Sequence, residues 1–532
     1  MVTNDELLAR VEELNAIGIS LSAEQNREKM LERILIGAKK ITNADGGTLY
    51  LVKDNHLHFE IMRTASLNIT KGGTTGEAIT LKPVQLYNEN QVPNTSSVAT
   101  FAAISGLTVN IADAYDHTGE FDFSGTKAYD EQTGYHSKSF LTVPMKNHEN
   151  QIIGVLQLIN ALDRTSNEVI SFSMEDQQLV ESLASQAAIT LTNQLLISEL
   201  RTLIEKFVEV IAFTIDEKSP YTGGHCRRVP DIAMRIAEGV NDCNHGPLAE
   251  VNFSEEDLYE LKIAALLHDC GKITTPVHVV DKSSKLETIY DRIENVQLRF
   301  ELIRKERELA LLKMQIAEQS EFKPNDHAQK LYKEMMQKLD GDQEFLAQMN
   351  KGAEFMEDAH KARVHEIGSY SYQLHTGEHR PLLNADEIEN LCVNRGTLND
   401  KERELINNHV VTSINMLAQL PFPRYLRNVP EIAGSHHEHM DGSGYPRGLT
   451  GEQMSVQARI MCIADIFEAL TASDRPYKVG MKLSIAMKIM QDMVASGHLD
   501  PDLFTMFVEQ GIFLEYAKHN LKPEQIDQRK VS

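Results

Sequence analysis

Long apolar runs and positive charge are both scarce in this sequence of 532 residues. No stretch approaches the roughly 18 uninterrupted apolar residues that a membrane-spanning helix needs. Lys and Arg number 53 against 77 Asp and Glu, which gives a formal net charge of −24. A chain this acidic repels a nucleic-acid backbone and an anionic lipid surface. We therefore expect neither nucleic acid nor a membrane as a partner.

Cysteine is also scarce, and its pattern excludes a disulfide framework. The five residues Cys226, Cys243, Cys270, Cys392 and Cys462 form an odd set without CxxC spacing. Such usage is typical of reduced thiols. The chain starts Met-Val-Thr-Asn-Asp-Glu, which is acidic where a secretory signal is basic and then apolar. Both features predict a cytoplasmic location.

The first third of the chain, residues 1–174, has the pattern of an α+β domain. Apolar residues recur at helical spacing over residues 5–42, which predicts two helices. Residues 48–52 and 58–62 read as one hairpin, and residues 140–145 and 152–160 read as another. We expect an antiparallel sheet with flanking helices.

The rest of the chain is predicted to be helical. Residues 175–218 form a long helical pattern without Gly or Pro, a connecting helix that either self-associates as a dimer coiled coil or packs along its own domain. Residues 219–532 predict an all-α helical bundle. A stretch over 289–390, rich in Glu, Lys, Arg, Gln and Met, predicts a charged helical hairpin inserted into that bundle.

Histidine and aspartate cluster at five places in this helical part, at His225, His268-Asp269, His409, His436-His437 and Asp465. A single histidine on an apolar helix is usually a core residue. Burying all of these donors unpaired would cost several kcal/mol, on the order of 2–7 per group. Imidazole with carboxylate suits iron, manganese, nickel or zinc, and seven donors are too many for one ion. The pattern favours two divalent metal ions, with Asp269 able to bridge them.

Three segments resemble the HD-GYP phosphohydrolases, bacterial signalling enzymes that hydrolyse cyclic di-GMP. They are H-D-C-G-K-I-T-T-P from His268, H-H-E-H-M-D-G-S-G-Y-P-R-G-L from His436 and D-R-P-Y-K from Asp474. The resemblance covers roughly 219–288 and 395–510. It implies that His225, His268 and Asp465 hold one ion, that His409, His436 and His437 hold the other, and that Asp269 lies between them.

Two departures from the family pattern concern the metals and the phosphate site. Members with a third metal carry a Glu where this chain has Tyr221, which favours two ions here. The second carboxylate of a D-x-x-D pattern is replaced by Glu468, and one extra residue lies between Thr471 and Arg475.

The family's chemistry implies roles for several further residues. Two cations lower the pKa of a shared water and direct it at phosphorus, with Asp269 as the bridging catalytic carboxylate. Lys272 would lie on the same face as His268 if its helix continues, and we expect it to act in catalysis and bind a phosphate oxygen. Arg228 would brace the fold. Four more residues are candidate substrate contacts, namely Arg475, Lys478, Tyr445 and Gly444.

The first third resembles a GAF domain, a sensory fold that binds small ligands. The matching segments are residues 139–145 and 154–160, followed by Phe172 and Asp176. Of the N-K-F-D-E signature found in cyclic-nucleotide-binding members, Asn160, Phe172 and Asp176 are kept, while Ala161 and Gln177 replace the Lys and Glu. The domain either binds an unknown small ligand or only dimerises through its helices.

Together these resemblances imply a GAF-regulated, metal-dependent phosphodiesterase that converts cyclic di-GMP to pGpG, and they leave open whether pGpG is cleaved further to GMP. One alternative is an enzyme for cyclic GMP-AMP or another nucleotide, because neither the metals nor Lys272 would distinguish one nucleobase from another. Another is a non-catalytic scaffold that binds a GGDEF-type partner. The presence of all seven donors disfavours the scaffold.

Overall fold

The computed structural model describes residues 4–24, 26–74, 76–116, 121–218, 224–317, 326–352, 355–472 and 480–527. The chain divides into two compact units, Met1–Leu203 and Ile204–Ser532. Within the described ranges, no helix is both long and apolar enough to cross a membrane.

The first unit is an antiparallel sheet with helices, as the periodicity predicts. Its sheet has the strand order β3-β2-β1-β7-β6-β5, with β4 on β2 and β8 on β7. The strands are β1 Ala44–Lys53, β2 His56–Thr64, β3 Ile69–Lys71, β4 Val84–Gln85, β5 Val109–Ile111, β6 Phe140–Lys146, β7 Ile152–Leu162 and β8 Val169–Ile170. The helices are α1 Asn4–Ala23, α2 Arg27–Thr42, α3 Val98–Ser105, α4 Ser124–Thr133 and α5 Met174–Lys218, the last of which continues into the second unit.

Both predicted hairpins are present, and their strands pair in the centre of the sheet. Leu49 of β1 lies opposite Leu156 of β7, and both side chains are fully buried. The apolar faces of α1, α2 and α5 cover the same side of the sheet through residues such as Met30 and Leu183. The burial of these aliphatic side chains is the main driving force for this unit.

The second unit is almost entirely helical. Its helices are α6 His225–Asn241, α7 Glu255–Leu267, α8 Val277–Val280, α9 Ile293–Ala317, α10 Asp326–Asn350, α11 Asp358–Gly368, α12 Ala385–Leu391, α13 Asp400–Leu417, α14 Val429–Ala433, α15 Val456–Thr471, α16 Leu483–Ala495, α17 Pro501–Glu509 and α18 Ile512–Asn520. Short 3-10 helices span Cys270–Thr274, Arg424–Leu426 and Pro523–Gln525. A two-stranded sheet, β9 Ser371–Gln373 with β10 His379–Pro381, interrupts the predicted all-α pattern.

The charged stretch 289–390 contains more than the predicted hairpin of two solvent-exposed helices. Helices α9 and α10 do pair, but α11, α12 and the β9-β10 hairpin join them around a separate apolar core. Phe300 and Leu346 are fully buried there, and Arg299 is paired with the buried Glu387. The hairpin prediction was too simple because single apolar residues, spread thinly among charges, converge only in three dimensions.

We predict that Phe300→Ala opens this small core. Replacing a buried Phe by Ala lowers the free energy of unfolding by about 3–5 kcal/mol, because apolar burial is lost and a cavity is left behind. Hydrogen exchange should show lost protection across α9–α12, whereas Leu302→Ala, at a side chain that is 49% exposed, serves as the matched control. Equal protection in both variants would contradict a packed insertion core.

Candidate metal centre

The structure brings together seven histidine and aspartate side chains from five separate segments of the second unit. His225 begins α6, His268 and Asp269 directly follow α7, and His409 lies in α13. His436 and His437 follow α14, and Asp465 lies in α15. Their donor atoms form three groups, each within 4.8 Å: His225 with His268 and Asp465, His409 with His436 and His437, and His268 with Asp269 and His436.

The first group gathers around the Nε2 atom of His225. This atom lies 3.3 Å from His268 Nε2 and 3.2 Å from Asp465 Oδ1. Asp269 Oδ2 lies 3.3 Å from both imidazole nitrogens. Four potential ligand atoms therefore surround one point.

Asp269 lies between the two groups and presents one oxygen to each. Its Oδ2 faces His225 and His268, whereas its Oδ1 lies 3.2 Å from His409 Nε2 and 3.9 Å from His436 Nε2. The side chain is almost completely buried. This is the placement that a carboxylate needs to bridge two cations.

Four of the histidines are oriented by their second nitrogen. The Nδ1 atoms of His268 and His436 each lie 2.7 Å from the carbonyl oxygen three residues earlier, Ala265 O and Ala433 O. His409 makes the same contact with Ile406 O. His225 Nδ1 is held by the carboxylate of Glu468. For His268, His409 and His436, an Nδ1–H donor to a carbonyl fixes the tautomer, so each Nε2 presents a lone pair to the centre.

A cation satisfies donor atoms that the protein itself leaves unpaired. Asp269 Oδ1, His409 Nε2 and His436 Nε2 are buried and have no hydrogen-bond partner of acceptable geometry. With the tautomers described above, imidazole lone pairs and negatively charged carboxylate oxygens face one another in the centre. Buried groups in this state are costly unless they coordinate a metal. The residues present therefore fit divalent ions with imidazole and carboxylate ligands.

The two groups differ in their affinity for protons. Burial disfavours charge on His225, but hydrogen bonds to Asp269, Asp465 and Glu468 raise its pKa well above the ordinary value. In the second group, burial lowers the pKa of His437 to about 4 and holds the pKa of His436 well below its usual range. A proton therefore competes with a metal ion mainly at the first group.

Tight packing fixes the segments that carry these ligands. Gly271 lies so close to α13 that a Cβ atom there would be 2.0 Å from the carbonyl oxygen of His409. Ser413 Oγ accepts from Gly271 N at 2.8 Å and donates to His268 O at 2.9 Å. Gly271 and Ser413 thus lock the His268-Asp269 segment against the helix that carries His409, a role that local sequence patterns did not reveal.

The glycine-rich loop after His437 is held by Glu438, which sequence reasoning also missed. The buried Glu438 carboxylate accepts from Arg447 N at 2.8 Å and Leu449 N at 2.9 Å. Gly444 packs on the backbone, where a Cβ would be 2.4 Å from His439 N. The Tyr445 ring stacks on His437 at 4.8 Å between centroids. Tyr445 is therefore adjacent to the second group, while Gly444 has a packing role.

The remaining predicted residues have mixed outcomes. Helix α7 ends at Leu267 and the chain tightens into a 3-10 helix, so the condition under which Lys272 would share a helix face with His268 is not met. Lys272 Nζ nevertheless reaches the centre and donates to Asp269 Oδ2 at 2.6 Å. Arg228 Nε donates to Glu468 Oε1 at 2.7 Å, a bracing contact as expected. Tyr221, Arg475 and Lys478 lie outside the described residues.

In the first unit, the retained signature residues make structural hydrogen bonds. Asn160 accepts from Lys138 N and Ser139 N and donates to His136 O. Asp176 is paired with Arg10 of α1 and accepts from Ser173 N. These contacts tie the sheet and helices together without requiring a ligand.

Comparison with protein families identifies the two units. A GAF domain model matches residues 26–191, and HD domain models match residues 222–368 and 385–503. The first HD match contains His225, His268 and Asp269, and the second contains the other four donors. The N-terminal unit is thus a GAF domain, and the helical unit is HD-domain sequence whose two matched stretches contribute to one centre.

Three named relatives align with part of the chain. The 3'3'-cGAMP-specific phosphodiesterase 1 of Vibrio cholerae is 40% identical over 27% of this chain and 29% of its own length. The 3'3'-cGAMP-specific phosphodiesterase 3 of the same organism is 37% identical over 20% and 23%. A cyclic di-GMP phosphodiesterase of Pseudomonas aeruginosa is 39% identical over 21% and 26%. The chain thus spans less than a third of the length of these relatives.

We predict that Asp269→Ala removes bound metal while the helical fold persists, because Asp269 supplies an oxygen to each group of donors. Elemental analysis of the purified variant should find little bound transition metal, and circular dichroism should retain the helical signal. Asp492→Ala, at an exposed aspartate of α16, is the matched control and should bind metal like the unaltered chain. Full metal content in Asp269→Ala would contradict the bridging role.

We further predict that acid releases the two ions in sequence. Binding at the first group displaces a proton from His225, so affinity there falls as pH drops, by about tenfold per unit for each proton released. The neutral His436 and His437 hold the second ion to lower pH. Zinc titrations between pH 8 and 5.5 should resolve two sites whose affinities differ more as the pH falls. Two affinities that fall in parallel would contradict the assignment of the more acid-sensitive site to the first group.

Proposed function

Starting from a chain that joins a GAF domain to HD-domain sequence, we propose that it is a metal-dependent phosphodiesterase acting on a cyclic dinucleotide. The observation that carries this proposal is Asp269, whose two oxygens face two separate groups of imidazole donors. We assign His225, His268 and Asp465 to one ion and His409, His436 and His437 to the other. The printed names of the relatives, which are cyclic dinucleotide phosphodiesterases, support the substrate class.

Iron and manganese are our first choices for the metals, with nickel and zinc as alternatives. Bound at these residues, two divalent ions supply Lewis acidity and an activated water for attack on phosphorus. The protein holds the ligand imidazoles in one orientation, through Glu468 at His225 and through the carbonyl contacts of the Nδ1 atoms at three of the other histidines.

We propose that Lys272 and Tyr445 meet the substrate, because Lys272 contacts Asp269 and Tyr445 stacks on His437. The Lys272 ammonium lies beside Asp269 and is able to donate a further hydrogen to a non-bridging phosphate oxygen. Burial and the charges of Asp465 and Asp269 raise the pKa of Tyr445, so its hydroxyl stays neutral. We propose Lys272 as a catalytic and phosphate-binding residue, and Tyr445 as a contact for substrate. Contacts from Gly444, Arg475 and Lys478 stay predictions.

Both named substrates of the relatives are candidates, and cyclic di-GMP is our first choice. The products would be pGpG and then GMP. The second candidate is 3'3'-cGAMP, which two of the relatives' names specify. The seven assembled His and Asp side chains disfavour the alternative of a non-catalytic scaffold that binds a GGDEF-type protein.

We predict that protein loaded with Mn²⁺ or Fe²⁺ under anaerobic conditions converts cyclic di-GMP to linear pGpG, and that a chelator stops the reaction. Chromatography of reactions with cyclic di-GMP, 3'3'-cGAMP and pGpG measures the preference. Asp269→Ala is the inactive control. A fully metal-loaded chain that hydrolyses none of the three would contradict the proposed function.

We also propose that the protein is a cytoplasmic homodimer whose GAF domain binds a small ligand and regulates hydrolysis. All five cysteines are free thiols, which supports a reducing compartment. Helix α5 exposes apolar side chains at alternating spacings of four and three, the pattern of a coiled-coil seam. The seam residues are Leu196, Leu200, Leu203, Phe207 and Val210, each 50–65% exposed.

We predict that Leu203→Glu dissociates this dimer, because a charge at the centre of the seam would be buried without a partner. Light scattering should then give the monomer mass of 59.8 kDa. Leu298→Glu, at a residue of α9 that is 63% exposed, is the matched control and should leave the mass unchanged. A monomeric unaltered chain would contradict the proposal.

A further inference from the structure

The C-terminal turns of α5 are anchored in the core of the second unit. Val208, Ala212 and Ile215 point from one face of the helix into the apolar cluster that also contains Val229 of α6 and Leu266 of α7. The polar residue Asp216 follows directly, and Lys218 is the last residue of the helix. Each of them contacts a different segment of the candidate metal centre.

Asp216 holds the start of the helix that carries His225. Its side chain is 2% exposed. Oδ2 accepts from Gly224 N at 3.0 Å, and Oδ1 accepts from Cys226 N at 3.2 Å. These amides lie on either side of His225, at the end of α6 where N–H groups lack partners within the helix. The carboxylate therefore fixes the backbone from which the His225 imidazole projects.

Lys218 holds the segment that follows Asp269. Its ammonium donates to the carbonyl oxygens of Lys272 at 2.8 Å and Thr275 at 2.6 Å, and to Ile273 O. Three acceptors match the three hydrogens of the ammonium. They lie at the C-terminal end of the 3-10 helix Cys270–Thr274, where a cation is also favoured electrostatically. The contact fixes the turn from which Lys272 reaches Asp269.

We propose that Asp216 and Lys218 are positioning residues through which the end of α5 sets the geometry of the catalytic centre, an inference that rests on the proposed function. Asp216 acts on the metal group through His225. Lys218 acts on the phosphate site through Lys272. Two polar positions, separated by one residue at the end of one helix, thus control two different parts of the site, and a shift of this helix end changes both together.

The separation of these effects provides the test. In Asp216→Asn, the amide nitrogen replaces one acceptor and meets a backbone N–H group. We expect metal affinity at one of two sites to fall about tenfold, as for other residues that orient ligands. In Lys218→Met, we expect both ions to bind with unchanged affinity, while KM for the dinucleotide rises about tenfold.

The readouts are metal titration by calorimetry, KM and kcat of the loaded full chain, and hydrogen exchange of the amides of Gly224 and Cys226. Those amides should lose protection in Asp216→Asn only. Glu209→Gln and Lys206→Met are matched controls on the same helix, because these side chains form an exposed surface pair. Both controls should match the unaltered chain in every readout.

Three results would overturn the proposal. They are unchanged metal affinity in Asp216→Asn, unchanged KM in Lys218→Met, and an equal loss of both properties in both variants together with a lower melting temperature, which would indicate a merely structural role. The metal titration and hydrogen exchange need no substrate. A chain that binds two ions but hydrolyses no dinucleotide would therefore refute the proposed function while Asp216 is still judged on metal affinity.

Discussion

The second unit is organised around a buried cluster of lone pairs that needs positive charge. His268, His409 and His436 each donate through Nδ1 to a backbone carbonyl, so their Nε2 atoms face the carboxylate oxygens of Asp269 as acceptors. Desolvated acceptors that face one another are unfavourable, and a metal ion is the group that satisfies imidazole and carboxylate together. The packing around these side chains holds them in the positions that a bound metal ion requires.

That support comes from contacts that join distant parts of the chain. Ser413 ties α13 to the turn after His268, and Gly271 allows their backbones to approach. Glu468 links α15 to His225 and Arg228. These residues orient the donors, which is how a metal site acquires a defined geometry. The same logic extends to Asp216 and Lys218 at the end of α5.

Much of this arrangement could be predicted from the sequence, because periodicity and motif are local. Strands β1 and β2, strands β6 and β7 and the long helix α5 follow from apolar spacing, and the clustered His and Asp residues marked the centre. The end of α7 at Leu267 could not be predicted, since apolar spacing alone does not specify where an α-helix tightens into a 3-10 turn. The core around Phe300 and the partnership of His225 with Glu468 depend on residues that meet only after folding.

The proposed chemistry requires two ions, one on either side of Asp269. Crystallography of protein loaded with manganese or iron, with anomalous scattering recorded at the metal edge, would locate them. We expect two anomalous peaks, one beside His225, His268 and Asp465 and the other beside His409, His436 and His437, with Asp269 between them. A single peak, or none in protein shown to be saturated with metal, would contradict this expectation.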